Sequence, residues 1–482
     1  MKGKTESFMY LMTKIVIGII SVYSLRVQTK YISPADLGAY ALLAGMINVL
    51  IAVFISWIGS SGLRYFDSYR KANNQKEFFS TLLLDWGVLI ATILCFVMLA
   101  AYFVDYISIR KYLPLVMMTL LFGSLWDIFE KVLRASNFSK TYCFVLLAQS
   151  LLSLSIIILY NRYYDDGVKS LFLAKICSGA LAAFIGIKVL CVWKYVGIRQ
   201  FSFEFNNKVL HYGIPMVGVW GIGWLLNYSD RYIIKFFLND EDVGLYDVAY
   251  RFTESSIGMV IAAFNLAFFP AMIKTWNEGN DNDVKLMIKT IFRYYFLFSI
   301  PIFVGILLLK DQFYGTILDE QYSSAAIVMS ISCIGFIFMG VNNTFYKIWQ
   351  LKENTRMVLY LTILSLVFNF STNVIFIPRY GYLAAAVTTV VSYIIITIIA
   401  GILINREIKI RIDVKSFLKQ IAAAAVMGIV IFFTRSFITS FLTLALCAVV
   451  SACIYFAVLF ILGDLSEDFK DIKAKIQNLR RS

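Results

Sequence analysis

Apolar runs of roughly twenty residues, each closed by charged or turn-forming residues, recur fourteen times along the chain. They lie near 10–31, 37–62, 78–103, 113–133, 142–160, 170–193, 211–237, 243–273, 288–309, 324–347, 357–377, 382–404, 417–434 and 438–463. About twenty residues is the length an α-helix needs to cross the hydrocarbon layer of a bilayer. The pattern therefore predicts an all-α integral membrane protein of about 14 transmembrane helices. The faintest run is the thirteenth, where Lys419, Gln420 and a string of alanines dilute the signal.

Composition agrees. Of 482 residues, 60% are hydrophobic and only 15% charged, with a mean hydropathy of +0.75. A soluble domain carries about 25% charged residues, and so few charges could not coat a soluble core of this size. The first run begins near Leu11 and is interrupted by Lys14 and Arg26. That suits a retained span better than the short uncharged core of a cleaved signal.

The basic residues set an orientation. With the N-terminus inside, eight cytoplasmic segments hold 28 of the 44 lysines and arginines and seven outer loops hold 8. Cytoplasmic loops carry such an excess, so both termini are expected in the cytoplasm. The net charge of +14 is spread over many loops. It faces anionic headgroups and forms no patch for nucleic acid. The seven cysteines lie inside apolar runs without a C-x-x-C spacing, and His211 is the only histidine. Metal ligation and histidine-based catalysis have no residues to work with, and no cofactor is expected. No loop exceeds some fifteen residues, which leaves no room for a soluble catalytic domain.

The chain repeats itself at an offset of 206 residues. Tyr31-Ile-Ser-Pro-Ala-Asp36-Leu-Gly38-Ala-Tyr40 lies over Phe237-Leu-Asn-Asp-Glu-Asp242-Val-Gly244-Leu-Tyr246. A fainter echo pairs Arg162-Tyr163 and Gly167 with Arg379-Tyr380-Gly381. Six spans per copy make the copies parallel, a known transporter architecture. The expected organisation is a six-helix bundle over 1–200, a second over 201–405, and two further helices with a cytoplasmic tail over 406–482.

These motifs carry a family resemblance over essentially the whole chain. The Pro34-x-Asp36-x-Gly38-x-Tyr40 turn, Ser229-Asp230-Arg231, Pro270 and the stretch from Asn369 through Asn373, Pro378 and Gly381 to Ala386 resemble those of polysaccharide repeat-unit flippases. These are O-antigen and capsule transporters of the multidrug/oligosaccharidyl-lipid/polysaccharide superfamily. The resemblance implies two pseudo-symmetric bundles in a V-shaped, MATE-like arrangement that alternates its access. It implies an undecaprenyl-diphosphate-linked oligosaccharide as substrate, crossing the bacterial cytoplasmic (inner) membrane. Membrane lipids, a polysaccharide polymerase and chain-length machinery would be partners, and H+ or Na+ coupling is an option.

Moving a diphosphate and many hydroxyls through a low-dielectric layer needs polar groups inside it. Ionisable residues within spans cost a few kcal/mol each and are functional candidates by default. Arg26, Lys175, Asn227, Asp230, Arg231, Arg251 and Glu254 are the candidates for the substrate cavity. Asp230, Arg231, Arg251 and Glu254 are expected to form one network. Lys175 could equally reach outer headgroups, and an ion-pair network could simply stiffen the helices. Asp85, Asp230 and Glu254 are candidates for ion coupling. Glu130, Arg134 and Lys347 are candidates for a cytoplasmic gate, with Glu130 and Arg134 at the favourable i, i+4 spacing. Thr362, Ser365, Asn369 and Asn373 form a stripe that more commonly joins neighbouring helices than binds sugar.

Three other functions compete. A drug/cation antiporter of the same superfamily would have an acidic cavity, whereas the mid-span charges here include Arg26, Lys175, Arg231 and Arg251. A peptidoglycan-precursor flippase would share the two extra helices and a basic cavity. A polytopic glycosyltransferase or polymerase would need a large catalytic outer loop.

Overall fold

The computed structural model describes residues 2–103, 107–136, 138–277, 281–408 and 413–465. They form α-helices joined by short turns, with no strand among the described residues. Every expected apolar run falls on helix. By Cα packing the chain divides into two compact units, residues 1–247 with 362–385, and residues 248–361 with 386–482.

The first unit begins with α1 (Lys2–Tyr31), α2 (Pro34–Phe54), α3 (Ser56–Lys71) and α4 (Gln75–Phe103). It continues with α5 (Ile107–Ala135), α6 (Ser139–Tyr163), α7 (Gly167–Val189) and α8 (Phe203–Phe237). The division falls inside α9 (Asp240–Thr253), between Asp247 and Val248. A π-helical turn, Glu254–Gly258, then leads into α10 (Met259–Asn277). Pro270 lies in α10 with its side chain outside the described residues. The second unit continues through α11 (Asp281–Thr316) and α12 (Ala326–Leu351). Most of α13 (Thr355–Tyr380) returns to the first unit, and most of α14 (Tyr382–Glu407) to the second, with α15 (Val414–Thr434) and α16 (Phe441–Ile461).

Among the described residues eleven helices are long and apolar enough to cross a membrane. The three expected spans outside that set lie on α1, α8 and the α9–α10 segment. They contain Lys14 and Arg26, Asn227 with Asp230 and Arg231, and Asp247 with Arg251 and Glu254.

The expected second span is two helices. It breaks at Ile55, ahead of the small-residue run Gly59-Ser60-Ser61-Gly62, the composition at which helices bend. Side chains from α5 fasten the break. Ser56 Oγ donates to Asp127 Oδ2 at 3.1 Å, and Lys131 Nζ donates to the Ser56 carbonyl at 2.9 Å and to Asp127 at 2.8 Å. A cation thus takes up the backbone carbonyl at the break.

In the second unit, α15 and α16 lie against α11. Gln420 is fully buried and donates to the Arg293 carbonyl at 3.2 Å. Arg293 donates in turn to the Asp464 carbonyl, and Tyr455 donates to the Leu297 carbonyl at 3.0 Å. Gln420, one of the residues that dilute the thirteenth apolar run, ties its helix to α11.

Candidate functional site

The two copies of the repeated turn start their helices in the same way. Ser33 caps α2 by accepting from the Asp36 N–H at 3.2 Å, and Asn239 accepts from the Asp242 N–H at 2.9 Å. Four positions beyond each acidic residue stands a buried tyrosine. Tyr40 sets its ring edge against Phe172, with centroids 5.1 Å apart. Tyr246 instead turns its hydroxyl into a charged cluster.

That cluster is buried within the first unit. Asp230, about two turns from the end of α8, accepts from the Tyr246 hydroxyl at 2.8 Å and from the Asn373 amide at 2.6 Å. Asn373 Nδ2 also approaches Asn369 Oδ1 at 3.1 Å. Arg231 Nε donates to Asp247 Oδ1 at 2.9 Å, and its Nη1 to the Asn227 carbonyl at 2.7 Å. The Arg231 guanidinium lies over Tyr228, 5.1 Å from the ring centroid, and over Tyr246 at 5.6 Å. Asp230, Arg231 and Asp247 are each less than 5% exposed. Such charges are held by partners because desolvation penalises every unpaired one. Neighbouring residues of α8 take opposite charges to two different sets of partners.

Tyr228 joins this cluster to α2 and α7. Its hydroxyl accepts from Asn48 Nδ2 at 3.3 Å, and its ring stacks on Trp224 with centroids 4.6 Å apart. The Lys175 ammonium and the Arg231 guanidinium both act electrostatically on its hydroxyl.

Two members of the expected network, Asp230 and Arg231, take further partners here. Asp230 and Arg231 lie in the first unit, whereas Arg251 and Glu254 belong to the second. The carboxylates that Arg231 bonds include Asp247, and the groups that Asp230 bonds include Tyr246 and Asn373. Asp247 faces Arg231, while Glu254 stands seven residues further, exposed, at the start of the π-helical turn. Asn373, on the stripe assigned to helix joining, is a direct partner of a charge.

The other candidates lie on several helices. Arg26 is half-buried on α1, and Lys175 is exposed on α7. Asp85 is half-buried on α4, and its Oδ2 is fully enclosed without a hydrogen-bond partner among the described residues. The i, i+4 pair of Glu130 and Arg134 does not form. Glu130 accepts from the Tyr142 hydroxyl at 3.0 Å, and Arg134 is exposed with no ion pair among the described residues. Tyr142, one turn into the next helix, reaches the carboxylate first. Lys347 donates to Gln350 at 3.1 Å. Among the described residues no group of three or more His, Cys, Asp or Glu could hold a metal.

Bundled apolar helices with a buried charged cluster define a multi-pass membrane protein. The chain belongs to the family described as polysaccharide biosynthesis protein, whose pattern matches residues 28–327. The fold is shared with solved membrane transporters. A structure of the lipid II flippase MurJ in an inward closed conformation superposes with a TM-score of 0.74 over 93% of this chain and 98% of its own, at 17% identity. A multidrug-resistance MATE transporter in an inward-facing conformation gives 0.68 over 83% and 98%, at 13% identity. Agl15 of Haloferax volcanii, a probable low-salt glycan biosynthesis flippase, is 25% identical over 44% of this chain, so the match spans less than half of Agl15 (45%). An uncharacterized membrane protein of Methanocaldococcus jannaschii is 21% identical over 94% of both chains.

Proposed function

We propose that the protein is a flippase that carries a lipid-linked oligosaccharide across a membrane by alternating access. Membership of the polysaccharide biosynthesis family over residues 28–327 carries this reading. The buried cluster on α8, α9 and α13 supports it, because a transporter must keep polar groups inside its apolar frame. In its specific form the substrate is an undecaprenyl-diphosphate-linked O-antigen or capsule unit. The membrane is then the bacterial cytoplasmic membrane, with both termini inside and a polymerase and chain-length machinery as partners. Agl15, the probable glycan biosynthesis flippase reported above, is from Haloferax volcanii, an archaeon, so the coarser substrate, a polyprenyl-linked glycan, is the one to test first.

Asp230 is the proposed coupling residue for H+ or Na+. Asp230, Arg231 and Asp247 bring two carboxylates and one guanidinium into one buried cluster. In proteoliposomes, Asp230→Asn should remove any stimulation of transport by an imposed H+ or Na+ gradient. Stimulation equal to wild type would eliminate this role.

Arg26 is the proposed diphosphate contact, since a guanidinium offers bidentate geometry that an ammonium lacks. In cells deleted for their own flippase, Arg26→Ala should abolish surface glycan at normal protein abundance, and Arg26→Lys should keep part of it. Full export by Arg26→Ala would leave Lys175 and Arg231 as the cationic candidates.

A further inference from the structure

Trp224 and Tyr228 form an aromatic pair one turn apart on α8, stacked at 4.6 Å with an interplanar angle of 30°. The pair is fixed from several sides. A Cβ on Gly45 of α2 would lie only 3.0 Å from the Tyr228 ring, so the ring edge rests on the α2 backbone. Asn48 holds the Tyr228 hydroxyl, and the Arg231 guanidinium, itself fixed by Asp247, lies over the ring. Ordered aromatic faces lose little freedom on receiving a ligand.

Beside this fixed pair are unused polar groups. Trp224 is half-buried, and its indole N–H donates to no group among the described residues. Asn227 spends its amide Nδ2 on the Gly223 carbonyl at 2.7 Å, and its Oδ1 accepts from no group among them. The helix surface beside Asn227 is open: a Cβ on Gly223 would meet nothing within 4 Å.

We propose that Trp224 and Tyr228 are a stacking platform for a sugar ring, with the Trp224 N–H and Asn227 Oδ1 bonding its hydroxyls. A pyranose presents an apolar C–H face and a rim of hydroxyls. Aromatic rings with a few placed polar groups match that surface. An organic cation would also suit an aromatic face, but Arg231 and Lys175 already act on Tyr228 and would repel it. This assignment rests on the lipid-linked glycan reading above and adds the part of the site that recognises the glycan.

The test compares two probes on the purified full-length protein in detergent: farnesyl diphosphate, and farnesyl diphosphate carrying a disaccharide. The disaccharide is varied to end in a hexose, an N-acetylhexosamine or a hexuronic acid. Wild type should bind at least one glycosylated probe about tenfold or more tightly than farnesyl diphosphate alone. Trp224→Ala, and Trp224→Leu as the variant that keeps apolar bulk, should lose that preference while binding farnesyl diphosphate as wild type does. Trp224→Phe should keep most of it. Retention of the full preference by Trp224→Leu overturns the platform. Equal binding of all probes by wild type also overturns it and leaves the flippase reading standing. Binding of none removes the flippase reading and the platform together.

Discussion

Gly38 and Gly244, 206 residues apart and equivalent in the internal repeat, each pack against the other's turn. A Cβ on Gly38 would overlap the Asp240 carbonyl oxygen and lie 2.8 Å from the Gly244 nitrogen. A Cβ on Gly244 would overlap the Pro34 carbonyl oxygen and lie 3.0 Å from the Gly38 nitrogen. Pro34 and Asp240 are themselves repeat equivalents, so the contact is reciprocal, as in a two-fold interface. Backbone lies against backbone, and neither side can yield by turning a side chain.

Alanine at either position should therefore force the two turns apart. Gly38→Ala and Gly244→Ala should each cost about 1–3 kcal/mol, the range for overpacking. One separation relieves both clashes, so the double variant should cost clearly less than the sum of the singles. Reversible unfolding in mixed micelles measures all three. Wild-type stability in both single variants would show that the contact is loose.

The Arg231–Asp247 pair should be costly to break and less costly to remove. Arg231→Ala leaves a buried carboxylate, and loss of one partner of such a pair typically costs 3–5 kcal/mol. Arg231→Met with Asp247→Leu should be more stable than Arg231→Ala alone. Tyr246→Phe removes one hydrogen bond to Asp230 and should cost about 1.5–3 kcal/mol, the range for a bond to a charged group. A double-mutant cycle reads each coupling, and additivity at Arg231 and Asp247 would contradict the pairing.

Asp413, at the N-terminus of α15, gives a pH signature. Its carboxyl is held below the usual range by the Lys289 ammonium 3.0 Å away and by the Ser416 N–H. A carboxyl depressed in the folded state stabilises above its unfolded value, near pH 4. That stabilisation is lost as the pH falls through the lower folded value. Asp413→Asn keeps a capping side chain, so it isolates the charge. It should melt slightly below wild type at pH 7, and the gap should close below about pH 4. The pair is partly exposed, so the difference stays under about 1 kcal/mol. A pH-independent gap would mean that the charge contributes nothing.

Topology can be read with single cysteines in a background lacking the seven native ones. Asn280, in the segment 274–289 expected inside, lies outside the described residues. Asn73 sits at φ +58°, where a cysteine would be strained, so the neighbouring exposed Asn74 is the better inner site. Asn74→Cys should react only from the cytoplasm, and Ser323→Cys, in an exposed turn, only from outside. Reaction of both from the same side would refute the orientation read from the basic residues.

The sequence by itself determined the helices, because burial in lipid demands continuous apolar runs whose length and spacing are visible in one dimension. It also determined the repeat, since Ser33 with Asp36 and Asn239 with Asp242 are local caps written in consecutive residues. Asp230 and Arg231 stood out because charge inside an apolar run is rare. Which partners they take was decided by tertiary structure alone. Asp247, Tyr246 and Asn373 reach them from α9 and α13, 16 and 143 residues away in sequence, through helix rotations that no local pattern encodes. Glu130 shows the same limit from the other side: its spacing to Arg134 suited a pair, but the Tyr142 hydroxyl took the carboxylate. The stacking of Trp224 on Tyr228 is a local i, i+4 relation, yet its rigidity comes from Gly45 and Asn48 on another helix. Local patterns fix what a helix is, whereas the direction each polar group faces is fixed only when the helices pack and every buried charge must find a partner.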